Sequence, residues 1–161
     1  MSLLDQSIAA PVDGRQSPTA LAVARGTQRL LVSLGHSCVC ELPLASGRRA
    51  DLVALRHDGE IWIVEIKSSI EDSRVDQKWP EYRLHCDRLY FATAAHVPQE
   101  IFPEDAGLIV ADAYGAELLR EAPEHRLHAA TRRSLMLAFA RAAARRLQAL
   151  ADPQGPYGEE M

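Results

Sequence analysis

The chain has no hydrophobic run long enough to cross a bilayer, and Met1 to Ala10 lack a basic stretch followed by an apolar core. The expectation is a cytoplasmic protein with no membrane contact. Cysteine is scarce: the odd set Cys38, Cys40 and Cys86 excludes a disulfide framework, and Cys38-x-Cys40 has no second ligand pair nearby, so all three read as reduced, buried thiols. The six histidines are scattered without the paired spacing of a zinc site. No glycine-rich phosphate loop is present, which argues against ATP-driven chemistry, and there is no internal repeat. Excess positive charge is missing too. The net charge of -4 weighs against a nucleic-acid partner, although local pairs such as Arg48-Arg49 can meet phosphate despite the total, and a metal-dependent enzyme itself needs carboxylates.

What is there is globular. Of the 161 residues, 47% are hydrophobic and 25% charged, which suits one folded domain rather than a disordered chain. The expected organisation is an irregular segment over 1–16, a single domain over 17–151 and a frayed tail over 152–161, where Pro153, Gly155, Pro156 and Gly158 cluster.

Ser17-Pro18 supplies an N-cap with proline at the first helical position. Ala20, Val23, Ala24, Leu30, Leu31 and Leu34 then recur at helical spacing, with Gly35 placed to end the helix. Short apolar runs over 37–44 and 49–56, separated by Ala45-Ser46-Gly47, read as two strands. A third strand, 60–68, contains Ile61-Trp62-Ile63-Val64 and Ile66, apolar on both faces as a covered central strand is. A helical segment beginning near Asp72 should break at Pro80 into two short helices. Strands follow at Leu89–Ala92 and Leu108–Ala111. A long closing helix should bury Leu135, Met136, Phe139, Ala143, Leu147 and Leu150, leaving Arg132, Arg133, Arg141, Arg145 and Arg146 as a solvated surface.

The third strand ends in Glu65-Ile66-Lys67. Side chains alternate along a strand, so Glu65 and Lys67 emerge on one face: a carboxylate able to hold a divalent cation beside an ammonium able to act on a reacting oxygen. A second carboxylate is needed, and Asp51 supplies it if the hairpin register allows. A two-residue loop, Asp58-Gly59, sets Asp51 opposite Ile66 and parts the carboxylates. A three-residue loop, His57-Asp58-Gly59 with Gly59 in the left-handed conformation, pairs Arg56 with Glu60 and sets Asp51 opposite Glu65. A bulge elsewhere would also correct the two-residue register.

Ala50-Asp51, a hairpin and Glu65-Ile66-Lys67 resemble the PD-(D/E)XK motif of restriction enzymes, archaeal Holliday-junction resolvases and related DNA-repair nucleases. More narrowly, Gly47-Arg48-Arg49-Ala50-Asp51, then Ile61 to Ser69, then Asp76-Gln77-Lys78-Trp79-Pro80-Glu81-Tyr82, resemble the MmcB-like family of bacterial DNA-repair proteins, over about Val12 to Asp112. The resemblance implies an α/β fold with a restriction-endonuclease-like αβββαβ core. It implies Mg2+ or Mn2+ held by Asp51, Glu65 and the main-chain carbonyl of Ile66, with Lys67 beside the attacking water. Gln77 looks like the glutamine that several such nucleases carry after the Glu-x-Lys strand, and Tyr82 like the aromatic that follows it in the exonuclease branch. The chain departs from the pattern at Ala50, where the motif has proline, and on the first helix, where many relatives carry an acid and 18–34 has none. Glu41 is the nearby acid able to stand in as an outer ligand.

These expectations describe divalent-metal-dependent hydrolysis of DNA in repair. The substrate would be structured or damaged DNA rather than a defined sequence, contacted by Arg48, Arg49, Ser68, Lys78, Trp79 and Tyr82. Packing of the kinked helix is the competing role for the two aromatics. A homodimer would supply two sites for two strands. The alternatives are a non-catalytic member that binds DNA or a repair partner, and a structural interaction protein.

Overall fold

The computed structural model describes residues 16–71 and 78–157. Helix α1, Pro18–Ser33, begins as its sequence dictates, with the Ser17 hydroxyl accepting from Ala20 N–H at 3.1 Å. It ends before Gly35, whose φ of +87° is the left-handed turn expected there. Strands β1 (His36–Pro43), β2 (Arg49–Arg56), β3 (Ile61–Ile66), β4 (Arg88–Thr93), β5 (Gly107–Ala111) and β6 (Ala116–Arg120) follow. Helix α2, Ala129–Ala151, closes the chain. The strands form one sheet in sequential order, antiparallel at β1–β2, β2–β3 and β5–β6 and parallel at β3–β4 and β4–β5.

The result is a mixed sheet flanked by helices, as the sequence predicts. On one face α1 covers Leu52, Ala54, Trp62, Val64 and Tyr90 with Val23 and Leu31. On the other, Leu135, Phe139 and Ala142 of α2 join Tyr82 and Cys86 against Val39, Val53, Ile61, Ile63 and Leu89. Strand β3 lies between the two layers, with residues 61–65 all buried.

The expected helix near Asp72 and most of the irregular 1–16 segment lie outside the described residues, as do 158–161 of the tail. Around the expected break the chain forms a 3-10 helix, Trp79–His85, with Pro80 in its first turn. Strand β6 went unpredicted: it is a half-exposed edge strand whose Glu117 and Leu119 face outward, so no apolar run marks it.

The face of α2 requires correction. Leu135 and Phe139 are buried, but Leu147 is 64% exposed and Met136 and Ala143 also lie outside. Two arginines turn the helix. Arg132 is half-buried: its guanidinium makes two 2.7 Å bonds to the carboxylate of Asp87, which is 2% exposed, and Arg146, also half-buried, donates to the carbonyls of Cys40 and Glu41. Arg133 and Arg141 remain exposed, as expected.

The cysteines are free. Cys86 is buried and Cys38 and Cys40 are half-buried; burial pushes the thiols of Cys38, Cys40 and Cys86 up to about 12, 11 and 12.

Beside them, His36 is 4% exposed and its ring lies 4.3 Å from that of Trp62. Neither ring nitrogen makes a hydrogen bond of ordinary geometry. Burial lowers its pKa, outweighing the Leu31 carbonyl that favours the proton. The unfolded chain therefore takes up this proton near pH 6.5 and the folded chain only at lower pH, so stability falls as pH drops below about 6.5. Urea unfolding at pH 7 and 5.5 checks this, since His36→Leu should flatten the dependence.

Candidate active site

The hairpin between β2 and β3 decides whether the two acids meet. Gly59 has a φ of +90°, Gly59 N–H donates to Arg56 O at 3.0 Å, and Arg56 N–H donates to Glu60 O at 3.0 Å. This is the three-residue loop. The ladder accordingly pairs Leu55 with Ile61 and runs to Leu52 with Val64, so one further step sets Asp51 across from Glu65. Arg56 also contacts Glu60 at 3.3 Å, as the loop requires.

Beyond Val64 the side chains replace the ladder. Asp51 Oδ2 accepts from Ile66 N–H at 2.7 Å, and Glu65 Oε1 accepts from Asp51 N–H at 3.2 Å. The main chain of Lys67 crosses to β4, its N–H donating to Ala92 O at 2.9 Å and its carbonyl accepting from the Thr93 hydroxyl at 2.7 Å. Strand β3 therefore ends at Ile66, two residues earlier than the apolar pattern suggests.

Glu65 is 3% exposed. Its pKa lies well above the usual carboxylate range because of burial first, then the negative charge of Asp51 and the hydrogen bond between the two carboxyls. Carboxyls hydrogen-bonded to each other titrate as a pair and not as independent groups. Asp51, Glu65, Ile66, Lys67 and Ser68 line one cleft of about 680 Å³ together with Tyr82 and His96 and with Gln16, Ser17, Thr19 and Ala20 from the start of α1. The Ser17 and Ser68 hydroxyls lie 3.4 Å apart across it.

The remaining residues singled out in the sequence have other partners, Tyr82 among them although it also lines the cleft. Glu41 accepts from Gln16 Nε2 at 2.9 Å, and among the described residues no three His, Cys, Asp or Glu side chains converge, so it does not complete a cage with Asp51 and Glu65. Arg48 is paired with Glu81. Arg49 and Lys78 are exposed. Trp79 packs edge-on against Phe91 at 6.2 Å, with the Arg83 guanidinium 4.9 Å from its ring centre. Tyr82 is buried, its hydroxyl 3.5 Å from Arg49 O. Gln77 lies outside the described residues. The sequence reading missed Gln16, Thr19 and His96 because each reaches the cleft from a distant segment. The lack of acids in the first turn of α1 was the one available sign.

Sheet, hairpin and cleft together define an α/β protein that presents paired carboxylates and a lysine at the end of its central strand. The chain belongs to the MmcB-like DNA repair protein family, whose family model matches residues 8–154. A comparison with the curated proteins finds no match. Among solved structures, the chain is similar to the SPO1766 protein of unknown function from Silicibacter pomeroyi, with 44% identity and a TM-score of 0.84 over 87% of this chain and 96% of that one. Family membership points to a role in DNA repair, and among the described residues no helix is long and apolar enough to cross a membrane.

Proposed function

We propose that this protein is a divalent-metal-dependent DNA phosphodiesterase of the PD-(D/E)XK kind, acting on structured or damaged DNA. The observation that carries this reading is the meeting of the Asp51 and Glu65 carboxyls at the ends of adjacent strands, in the cleft that Lys67 lines. The donors suit Mg2+ or Mn2+. They are all oxygens, and the pKa of Glu65, raised by burial first and by the Asp51 charge second, belongs to a carboxyl whose ionised form a cation would favour. Mg2+ needs one or two protein carboxylates and otherwise takes waters and substrate oxygens, so Asp51, Glu65 and the Ile66 carbonyl suffice without Glu41. Such an ion lowers the pKa of water and draws charge from phosphoryl oxygens.

The chain's own groups do the rest. Asp51 and Glu65 hold the charge that anchors the site, each oriented by a main-chain N–H of the neighbouring strand. Lys67 brings an ammonium to the side where water attacks phosphorus and the ester bond breaks, stabilising the reacting oxygen. The first turn of α1, free of acids, offers main-chain dipole and the Ser17 hydroxyl to a phosphate entering the cleft. Arg49 and Lys78, both exposed, are placed to meet phosphates outside it.

A second reading, a non-catalytic member that binds DNA or a repair partner, is favoured by the net charge of -4 and by the pairing of Arg48 with Glu81. Calorimetry with Mn2+ and a nicking assay on branched DNA separate the two. Under the leading reading Asp51→Asn abolishes Mn2+ binding, and Lys67→Ala keeps it but lowers nicking about 10²–10⁴-fold. DNA binding that needs no metal and ignores both substitutions, with no nicking, supports the second reading.

A further inference from the structure

Strands β1 and β2 change faces at Glu41 and Asp51. Side chains two apart on a strand normally share a face. Yet Cys40 and Leu52 pack in the layer under α1, while Leu42 and Ala50, the next pair of the same register, pack in the layer under α2. Glu41 and Asp51 stand between those pairs. Glu41 has a φ of 50°, the only positive φ of a non-glycine residue among those described. That conformation crowds an ordinary side chain and persists where surroundings impose it.

The surroundings here are a guanidinium. Arg146, on the inner face of α2, donates to Cys40 O and, at 2.9 Å, to Glu41 O. Carbonyls alternate in direction along an extended strand, and these two point to one side because the backbone leaves the extended conformation between them, at the left-handed Glu41. The Glu41 carboxylate meanwhile accepts from Gln16 Nε2, and among the described residues it does not form with Asp51 and Glu65 a three-acid group that could hold a metal ion.

We infer that Arg146 is a positioning residue for the site, acting through the left-handed backbone of Glu41. The guanidinium holds the rotated segment of β1, the β1–β2 register carries that rotation to Asp51, and the Asp51 carboxylate is thereby turned to Ile66 N–H and Glu65. A planar fork fixes two carbonyls in one geometry, which a lysine ammonium, with rotatable donors on a flexible stem, does not impose. The inference rests on the paired-carboxylate reading and assigns Glu41 a conformational part in it rather than a ligand's.

The test is Mn2+ calorimetry on the full chain, with metal-free thermal melts alongside. Glu41→Gly and Glu41→Val both remove the carboxylate, but only glycine accepts the left-handed conformation. E41G should lose less than about threefold in Mn2+ affinity and E41V about tenfold or more, the range expected when a group that orients ligands is lost. Arg146→Lys and Arg146→Ala should weaken Mn2+ about tenfold in wild-type protein and much less in the E41G background, where no strained residue needs holding. Equal losses in E41G and E41V overturn the inference, because they make Glu41 a ligand. Arg146 variants that melt earlier but bind Mn2+ as the wild type does also overturn it, because they make Arg146 a mere staple. Failure of the wild type itself to bind Mn2+ is a separate result that removes the underlying reading, and the inference with it.

Discussion

With divalent cations removed and at pH above neutrality, Glu65→Gln should make the protein more stable, by about 1–3 kcal/mol, the scale of an uncompensated buried polar group. The wild type there must either bury a second negative charge beside Asp51 or keep a proton on Glu65. The substitution removes that choice: an amide oxygen still accepts from Asp51 N–H, and an amide nitrogen donates to the Asp51 carboxylate. The sign follows from linkage. Glu65 in the folded protein holds its proton to higher pH than in the unfolded chain, so wild-type stability falls as pH rises above the ordinary carboxylate range, and the variant lacks this component. Mn2+ should reverse the order. At about a hundredfold over its Kd a ligand adds about 2.7 kcal/mol to the wild type, and it should add little to a variant with one carboxylate left. Melts against pH, with Mn2+ and with chelator, read the difference directly. Equal Mn2+ stabilisation of both proteins would remove the case for a cation at this pair.

Asp87→Ala should cost about 3–5 kcal/mol, the effect of breaking a buried charged pair. Asp87 immediately precedes β4 and is 2% exposed. Its carboxylate accepts from Ile61 N–H at 2.8 Å, Leu127 N–H at 2.9 Å and both terminal nitrogens of Arg132 at 2.7 Å, and its carbonyl accepts from His125 N–H. Burial alone would raise its pKa, but Arg132 and the two main-chain donors outweigh that and hold it below the usual range. Its contribution is therefore complete above the unfolded value, near pH 4, and is lost as pH falls through the lower folded one. Asp87→Asn, which keeps one acceptor but no charge, should cost roughly half as much. Urea unfolding measures both. A cost below about 1 kcal/mol would show that α2 is held by its apolar contacts alone.

The legible parts of the fold were those whose signals lie close in sequence. Ser17-Pro18 and Gly35 bound α1 by capping chemistry. The sites of β2 and β3 followed from apolar runs, and the loop between them narrowed to two registers that differ in one paired residue. The Glu65-x-Lys67 spacing implied a shared face whatever the fold around it. Edge strand β6 was illegible because a half-exposed strand carries no continuous apolar run, and the face of α2 because its apolar arc is wider than the surface it covers.

Asp87 shows the limit most clearly. Nothing around Cys86-Asp87-Arg88 marks it as the joint of the molecule, since its partners come from Ile61, Leu127 and Arg132. His96 and Gln16 reach the cleft, and Arg146 reaches β1, in the same way. By itself the sequence determined the strands, the cap, the turn chemistry and the pair of residues whose alternation puts a carboxylate beside an amine, because all of these depend on dihedral preferences and spacing within a few residues. Only the tertiary structure decided which register the hairpin takes, which arginines turn inward and which distant side chains line the cleft. Those depend on where buried charges and main-chain groups far apart in the chain find their partners.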